Sequence, residues 1–228
     1  MDTATRELFD ANAATYDRVN TLISLGLDAR WRAWAASRAV EKPHARVLDA
    51  FAGTGLVGLR AAALGAEVTL ADGSRGMLEV ARRRARASRL ELRFAETDLS
   101  TEPPEVPGAP FDAITVVFGV RYLDDPVRVL RGLATLLAPG GPLVIVDFVE
   151  PDGSFLSRLA AFYFFRVLPR VASLLAGRRG LYDRLVASTH RMGGAKRLVS
   201  LVENAGLTVT ETRRMGFGLV AGVVARHG

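Results

Sequence analysis

"VLDAFAGTG", residues 47–55, is a short apolar run that breaks into a glycine-bearing turn, and the helical pattern LVGLRAAAL follows at once. Strand, tight turn and helix in that order make the first half of a crossover unit. Gly53 and Gly55 allow a close approach of backbone to ligand, and the start of the helix behind them aims N–H groups at it. A tight packing turn would use the same glycines. Asp72 sharpens the reading, because it ends the next strand, AEVTLAD, about twenty residues on, where ribose hydroxyls need an acceptor. The turn is D-A-F-A-G-T-G, with the acid Asp49 at the strand end and without the three-glycine cradle of a dinucleotide site. An acid there suits a ligand that carries positive charge. Asp98 ends the third strand in AETDL, so acids stand at the ends of three successive strands, the edge where open α/β sheets bind ligands. These residues predict a nucleoside site.

Outward from that turn, strands and helices alternate. AEVTLAD leads to GMLEVARRRARA, LELRFAETD to a Pro-rich loop, FDAITVVFG to DDPVRVLRGLATLLAPGG, and then comes PLVIVDFVEP. Such alternation implies a mostly parallel sheet with helices on its faces. GAKRLVSLVENAGL reads as a last helix, and LTVTETRRM with FGLVAGVVARH as an antiparallel edge hairpin. Before residue 44, TRELFDANAATYDRVNTLISL (5–25) and DARWRAWAASRAV (28–40) space apolar residues by three and four, as helices do. The expected organisation is one domain: a helical cap over 1–43, an α/β core over 44–150, a helical insertion over 151–190, and a closing helix and hairpin over 191–228.

Composition narrows the function classes. With no cysteine, disulfides, thiolate metal sites and thiol nucleophiles are excluded, and the three histidines, His44, His190 and His227, lack ligand spacing. No metal is expected. The N-terminus shows no signal pattern, and no uncharged apolar run reaches the ~20 residues needed to span a bilayer, so a cytoplasmic protein is expected. The net charge of +6 is concentrated in ARRRARASR, residues 81–89, read as the solvated back of a helix. No aromatic stacking platforms interleave with it, so nucleic acid is not the expected partner. GRRG (177–180) flanks the greasy stretch FYFFRVLPRVASLL (162–175), where cations could meet anionic headgroups.

The motifs together resemble class I S-adenosylmethionine-dependent methyltransferases and, more narrowly, the ubiquinone/menaquinone biosynthesis C-methyltransferase family. The resemblance rests on YDRVNTLISLGLDARW (Tyr16, Asp17, Asn20, Ser24, Trp31), FGVRYLDDP (Phe118, Gly119, Arg121), LAPGGPLVIVDFVEP, the insertion with Leu168, Pro169, Tyr182 and Ser188, and GFGLVA. It runs from about residue 7 to the C-terminus. Departures are Val19 for Met, Asp28 for His, Tyr122 for Asn, Ala138, Asp147 and Val149 for Lys, Glu and Ser, and Arg184, Val186 and Ala187 for Tyr, Pro and Glu; Phe51 stands where the general turn has its first glycine. They cluster where substrate should touch.

The resemblance implies a Rossmann-like, mostly parallel seven-stranded sheet with an antiparallel C-terminal hairpin. It implies S-adenosylmethionine lying across the strand ends on Thr54, Asp72, Asp98, Leu99 and Val117, with Asp49, Phe51, Gly53, Gly55, Gly73, Met77 and Phe118 completing the expected set. The reaction it implies is methyl transfer to a ring carbon of a polyprenylated hydroquinone. Arg121 is the expected cation near the phenolate oxygen, the alternative being pairing with Asp124 or Asp125. His190 is a candidate base or else a surface histidine, and Tyr16 and Tyr182 are candidates to border the methyl site or else core aromatics. Tyr122, Phe162, Phe165, Leu168 and Ser188 are the expected substrate contacts. Residues 155–180 are expected to form a lid over an isoprenoid tail, leaning peripherally on the inner face of the membrane. A homodimer stays open. So do two other functions: methyl transfer to a phospholipid amine or a hydrophobic specialised metabolite, and a non-catalytic nucleoside-binding assembly partner.

Overall fold

The structure, a computed structural model, describes residues 17, 21, 24–100, 105–151, 153–163, 166 and 179–227. The helical pattern over 5–25 therefore lies mostly outside the described residues. DARWRAWAASRA forms α1 (Asp28–Ala39), and its face of Asp28, Trp31, Arg32, Ala35 and Ala39 is buried. β1 (Arg46–Ala50) runs into α2 (Leu56–Ala63), β2 (Glu67–Asp72) into α3 (Arg75–Ala87), and β3 (Arg93–Glu96) follows. β4 (Ala113–Val117), a 3-10 turn (Val120–Tyr122), α4 (Pro126–Ala134) and β5 (Leu143–Phe148) complete the parallel part. Then come α5 (Phe155–Phe162), α6 (Arg179–Met192), α7 (Ala195–Asn204), β6 (Leu207–Met215), a second 3-10 turn (Gly216–Gly218) and β7 (Val220–His227).

Local chemistry explains the helix starts. Ser74 Oγ accepts the Met77 N–H at 3.2 Å to cap α3, while Met77, Leu78, Ala81 and Ala85 turn inward. Asp125 caps α4 through the Arg128 N–H, with Pro126 in the first turn, where its missing donor costs nothing. The central strands β4 and β5 are buried at every position, as parallel strands covered on both faces must be.

The sheet order is β3-β2-β1-β4-β5-β7-β6, parallel through β5 and antiparallel at β5–β7 and β7–β6. The order reverses direction between β1 and β4. Such a switch point opens a crevice at the carboxyl ends of the strands. The edge strand β6 carries Thr and Arg at exposed positions and a register shift between Val209 and Glu211, both of which discourage further pairing. β3 is shorter than its sequence pattern suggests: α3 ends through Arg89 at φ 54 and a Leu90 N–H bond to Ala85 O, which uses up the residues read as the strand's start. The strand also stops early, at Glu96, so Asp98 lies two residues beyond it.

Candidate active site

The turn after β1 is built from backbone that favours the left-handed region: Phe51 (φ 55), Gly53 (φ 55) and Gly55 (φ 79). A Cβ at Gly53 would meet nothing within 4 Å, so only its φ requires glycine there. At Gly55 a Cβ would sit 2.9 Å from Leu70 Cδ1 and 3.0 Å from the Ala81 Cβ, so this glycine seats the start of α2 against β2 and α3. Phe51 holds the same conformation without glycine's freedom, a strain of order 1 kcal/mol or more that marks the turn as over-determined.

Asp72 organises the turn. One carboxylate oxygen accepts the Gly53 N–H at 2.8 Å and the other accepts the Ser74 N–H at 2.8 Å. Both bonds fix the carboxylate's plane at the wall of the cavity above. Asp49 does different work. It is buried beneath the turn, where it accepts the Thr115 hydroxyl at 2.7 Å and the Gly58 N–H at 2.9 Å. Burial pushes its carboxyl up to about 7, opposed by those two hydrogen bonds and by Arg32. Asp49 therefore ties α2 to β4 and is absent from the lining of the cavity above.

That cavity is lined by the turn residues Phe51, Gly53 and Thr54, by Asp72 and Met77 from the β2–α3 junction, and by Val117 and Phe118 from the end of β4. Tyr122, Leu123 and Arg32 close it. Among the twelve expected cofactor residues the structure thus brings together Phe51, Gly53, Thr54, Asp72, Met77, Val117 and Phe118. Asp98 lies at the surface, where its carboxylate accepts the Ser100 N–H and hydroxyl, and Leu99 is buried in the core. Gly55 supports the turn from behind, and neither it nor Gly73 is among the lining residues. The Thr54 hydroxyl donates to Asp17 at 2.9 Å, which places that N-terminal residue beside the cavity.

Arg121 is buried just past β4, and its guanidinium is paired with the fully buried Asp147 at the end of β5, not with Asp124 or Asp125. Asp147 also accepts the Arg121 N–H at 3.1 Å and the Phe148 N–H at 2.8 Å. The guanidinium carbon lies 4.5 Å from the Tyr122 ring centroid, 5.2 Å from Phe148 and 5.6 Å from Phe118. Its Nη2 donates to the Tyr122 hydroxyl at 3.2 Å. Tyr122, not Arg121, lines the cavity.

A second cavity lies on the other side of an aromatic wall in which Trp31, Phe118 and Phe148 pack at centroid distances of 5.1–6.1 Å. Phe118 faces the first cavity; Trp31 and Phe148 line the second with Leu25, Leu27, Leu159, Tyr163, Phe217 and Leu219. Its lining is apolar almost throughout. Its mouth is ringed by exposed Leu25, Leu159 and Phe217, and Phe155 and Phe162 extend the same face along α5.

The remaining expected residues lie elsewhere. His190 sits exposed on α6 with Nδ1 3.0 Å from Glu150 Oε1, and Ser188 is fully buried on the same helix. Tyr16, Phe165 and Leu168 lie outside the described residues, as does the side chain of Tyr182. Sequence reasoning missed Arg32. The signal was present, since a charged pair, Asp28 and Arg32, shares its helix face with Trp31 and Ala35. Among the described residues no group of His, Asp or Glu is placed to hold a metal ion.

A seven-stranded sheet of this order, with an oriented acid ending β2 beside the crevice, has the architecture of class I S-adenosylmethionine-dependent methyltransferases. The solved structure of one such enzyme, from Clostridium acetobutylicum, aligns with a TM-score of 0.67 over 94% of this chain and 98% of that one, at 13% identity, a likeness of fold. The sequence profile of the ubiE/COQ5 methyltransferase family matches residues 1–227, and the chain belongs to that family. A demethylmenaquinone methyltransferase of Thermus thermophilus is 38% identical over 94% of this chain and 97% of its own length. The ubiquinone/menaquinone biosynthesis C-methyltransferase UbiE of Pectobacterium carotovorum is 31% identical over 97% of this chain and 88% of its own.

Proposed function

We propose that the protein methylates a ring carbon of a lipophilic hydroquinone of the demethylmenaquinol type, with S-adenosylmethionine as donor. The observation that supports this most is the pair of cavities, one polar with an oriented carboxylate and one apolar, divided by a shared aromatic wall. The relatives' names favour a quinol ring over an amine or a scaffold role. The residues fit the donor: the Gly53 and Ser74 N–H groups hold the Asp72 carboxylate at the cavity wall as an acceptor for a ribose diol, and the space at Gly53 is open. When bound, the donor supplies an electrophilic methyl on a sulfonium sulfur.

Asp72 holds the ribose, while Met77 and Val117 flank the base. Phe118 and Tyr122 offer flat faces to an aromatic acceptor, and alignment of this kind is worth several kcal/mol. Arg121 acts through Tyr122, polarising its hydroxyl so that it donates to the ring oxygen as phenolate character develops. Arg121 is on this reading a positioning residue, held by Asp147. An isoprenoid tail lies in the apolar cavity, where each buried methylene stabilises by about 0.8 kcal/mol. Residues 155–163, the described start of the 151–190 insertion, serve as its lid, with Leu159, Ala160 and Tyr163 on the inner face; 167–178 lie outside the described residues. Leu25, Phe155, Phe162 and Phe217 then rest on the membrane surface that delivers the substrate from the cytoplasmic side. No helix among the described residues is long and apolar enough to cross a membrane, so such contact is peripheral.

Mass spectrometry of quinones from cells lacking the protein tests this. A species one methyl lighter should accumulate and should disappear on complementation with the wild type but not with Asp72→Ala. An unchanged quinone pool would overturn the proposal.

A further inference from the structure

Arg32 has no role in the chemistry described above, yet its position is costly. It comes from the first turns of α1, is 7% exposed and lines the donor cavity. Charges are removed from water only where something compensates them. Its recorded compensation is slight: Nε meets Asp28 Oδ2 at 3.4 Å, and the guanidinium lies 5.1 Å from the Phe118 ring centroid. Neither Nη group meets an acceptor among the described residues. Asp28 is itself committed, its other oxygen accepting the Ser24 hydroxyl at 2.9 Å. The pair therefore fixes the guanidinium by its Nε and leaves the two-pronged Nη edge for a ligand.

Among the described residues lining the cavity, the only formal charges are those of Arg32 and Asp72. A ligand suited to both has hydroxyls for the acid and a single anionic group for the arginine. A phosphate-rich ligand would meet Asp72 as a like charge. A guanidinium edge matches a carboxylate, which it can bind with two parallel hydrogen bonds.

We propose that Arg32 is the carboxylate subsite of the donor cavity and takes the α-carboxylate at the amino-acid end of the nucleoside donor. This rests on the donor assigned above. It makes Arg32 a binding residue that discriminates the intact donor from nucleosides lacking the acid, and it explains why the guanidinium is buried beside Trp31 and Ala35.

Calorimetry without any acceptor tests it, using S-adenosylmethionine and its decarboxylated analogue as the two probes. The wild type should bind the intact donor about 10- to 100-fold more tightly, as charge-assisted bidentate bonds imply. Arg32→Gln should lose that factor for the intact donor and bind the analogue as the wild type does; Arg32→Lys should recover part of it. Equal affinity of the wild type for both probes would overturn the inference. So would equal weakening of both in Arg32→Gln, which means a structural role, or unchanged affinities with slower turnover, which means action on the acceptor. Binding of neither probe by the folded wild type would instead defeat the donor assignment itself.

Discussion

Replacing Asp49 with Asn should flatten the protein's stability across the neutral pH range. Burial raises the carboxyl from the ordinary 3.8 to about 7, so between those values the folded chain keeps a proton that the unfolded chain has released. A group raised in this way stabilises fully below its unfolded value, and that contribution is lost as pH rises through its folded one. At 1.36 kcal/mol per pH unit, the loss amounts to about 4 kcal/mol across the window. Asn is neutral at every pH and can keep both contacts, its carbonyl accepting the Gly58 N–H and its amide donating to Thr115 Oγ1 once that hydroxyl rotates. Urea unfolding of the two proteins, from about pH 4 to pH 8, gives the difference curve, in which all other titrating groups cancel. The Asn variant should gain on the wild type by up to about 4 kcal/mol, most of it before pH 7. Parallel curves would refute the reasoning, because they would mean that Asp49 ionises in the folded state as it does in the unfolded one.

Other expectations follow from packing and charge. Gly222→Ala would place a Cβ 2.5 Å from Trp34 Cζ3 and 2.6 Å from Cη2, so it should cost about 1–3 kcal/mol and lower the melting temperature. Asp147→Asn leaves the buried Arg121 guanidinium without its counter-charge and should destabilise by about 3–5 kcal/mol in chemical denaturation, whereas Asp124→Asn should be near neutral. Phe155→Asp with Phe162→Asp, both exposed and outside the tail cavity's lining, should abolish flotation with anionic vesicles and slow turnover of a long-tailed quinol, while a tail-less quinol is methylated at the usual rate; equal slowing of both would argue against membrane docking.

Much of the fold was legible because its signals are local. The alternation of strands and helices, the hairpin pattern at the C-terminus, and the glycine turn with Asp72 downstream each show within about a dozen residues, and the sheet order follows the doubly wound pattern. Asp49 was legible as an acid at a strand end, but not its direction. β1 is buried on both faces, so alternation does not say which face points to the ligand. The Arg121–Asp147 pair depends on register: Val117 pairs with Val146, which brings Asp147, next along β5, beside the chain that leaves β4. Asp124 and Asp125, closer in sequence, lead instead into α4, where Asp125 caps the helix. Arg32 was hidden for a simpler reason. In DARWRAWAASRAV its charge reads as solvated, and only the packing of α1 over the strand ends turns that face inward.

The account's central claim is that the donor's methyl reaches a ring carbon of a quinol placed between the two cavities. Incubation with carbon-13-methyl S-adenosylmethionine and reduced demethylmenaquinone, followed by NMR of the extracted product, measures this directly. The account predicts a single labelled aryl-methyl resonance, absent with Asp72→Ala. A methoxyl resonance, or label found only on another class of acceptor, would contradict it.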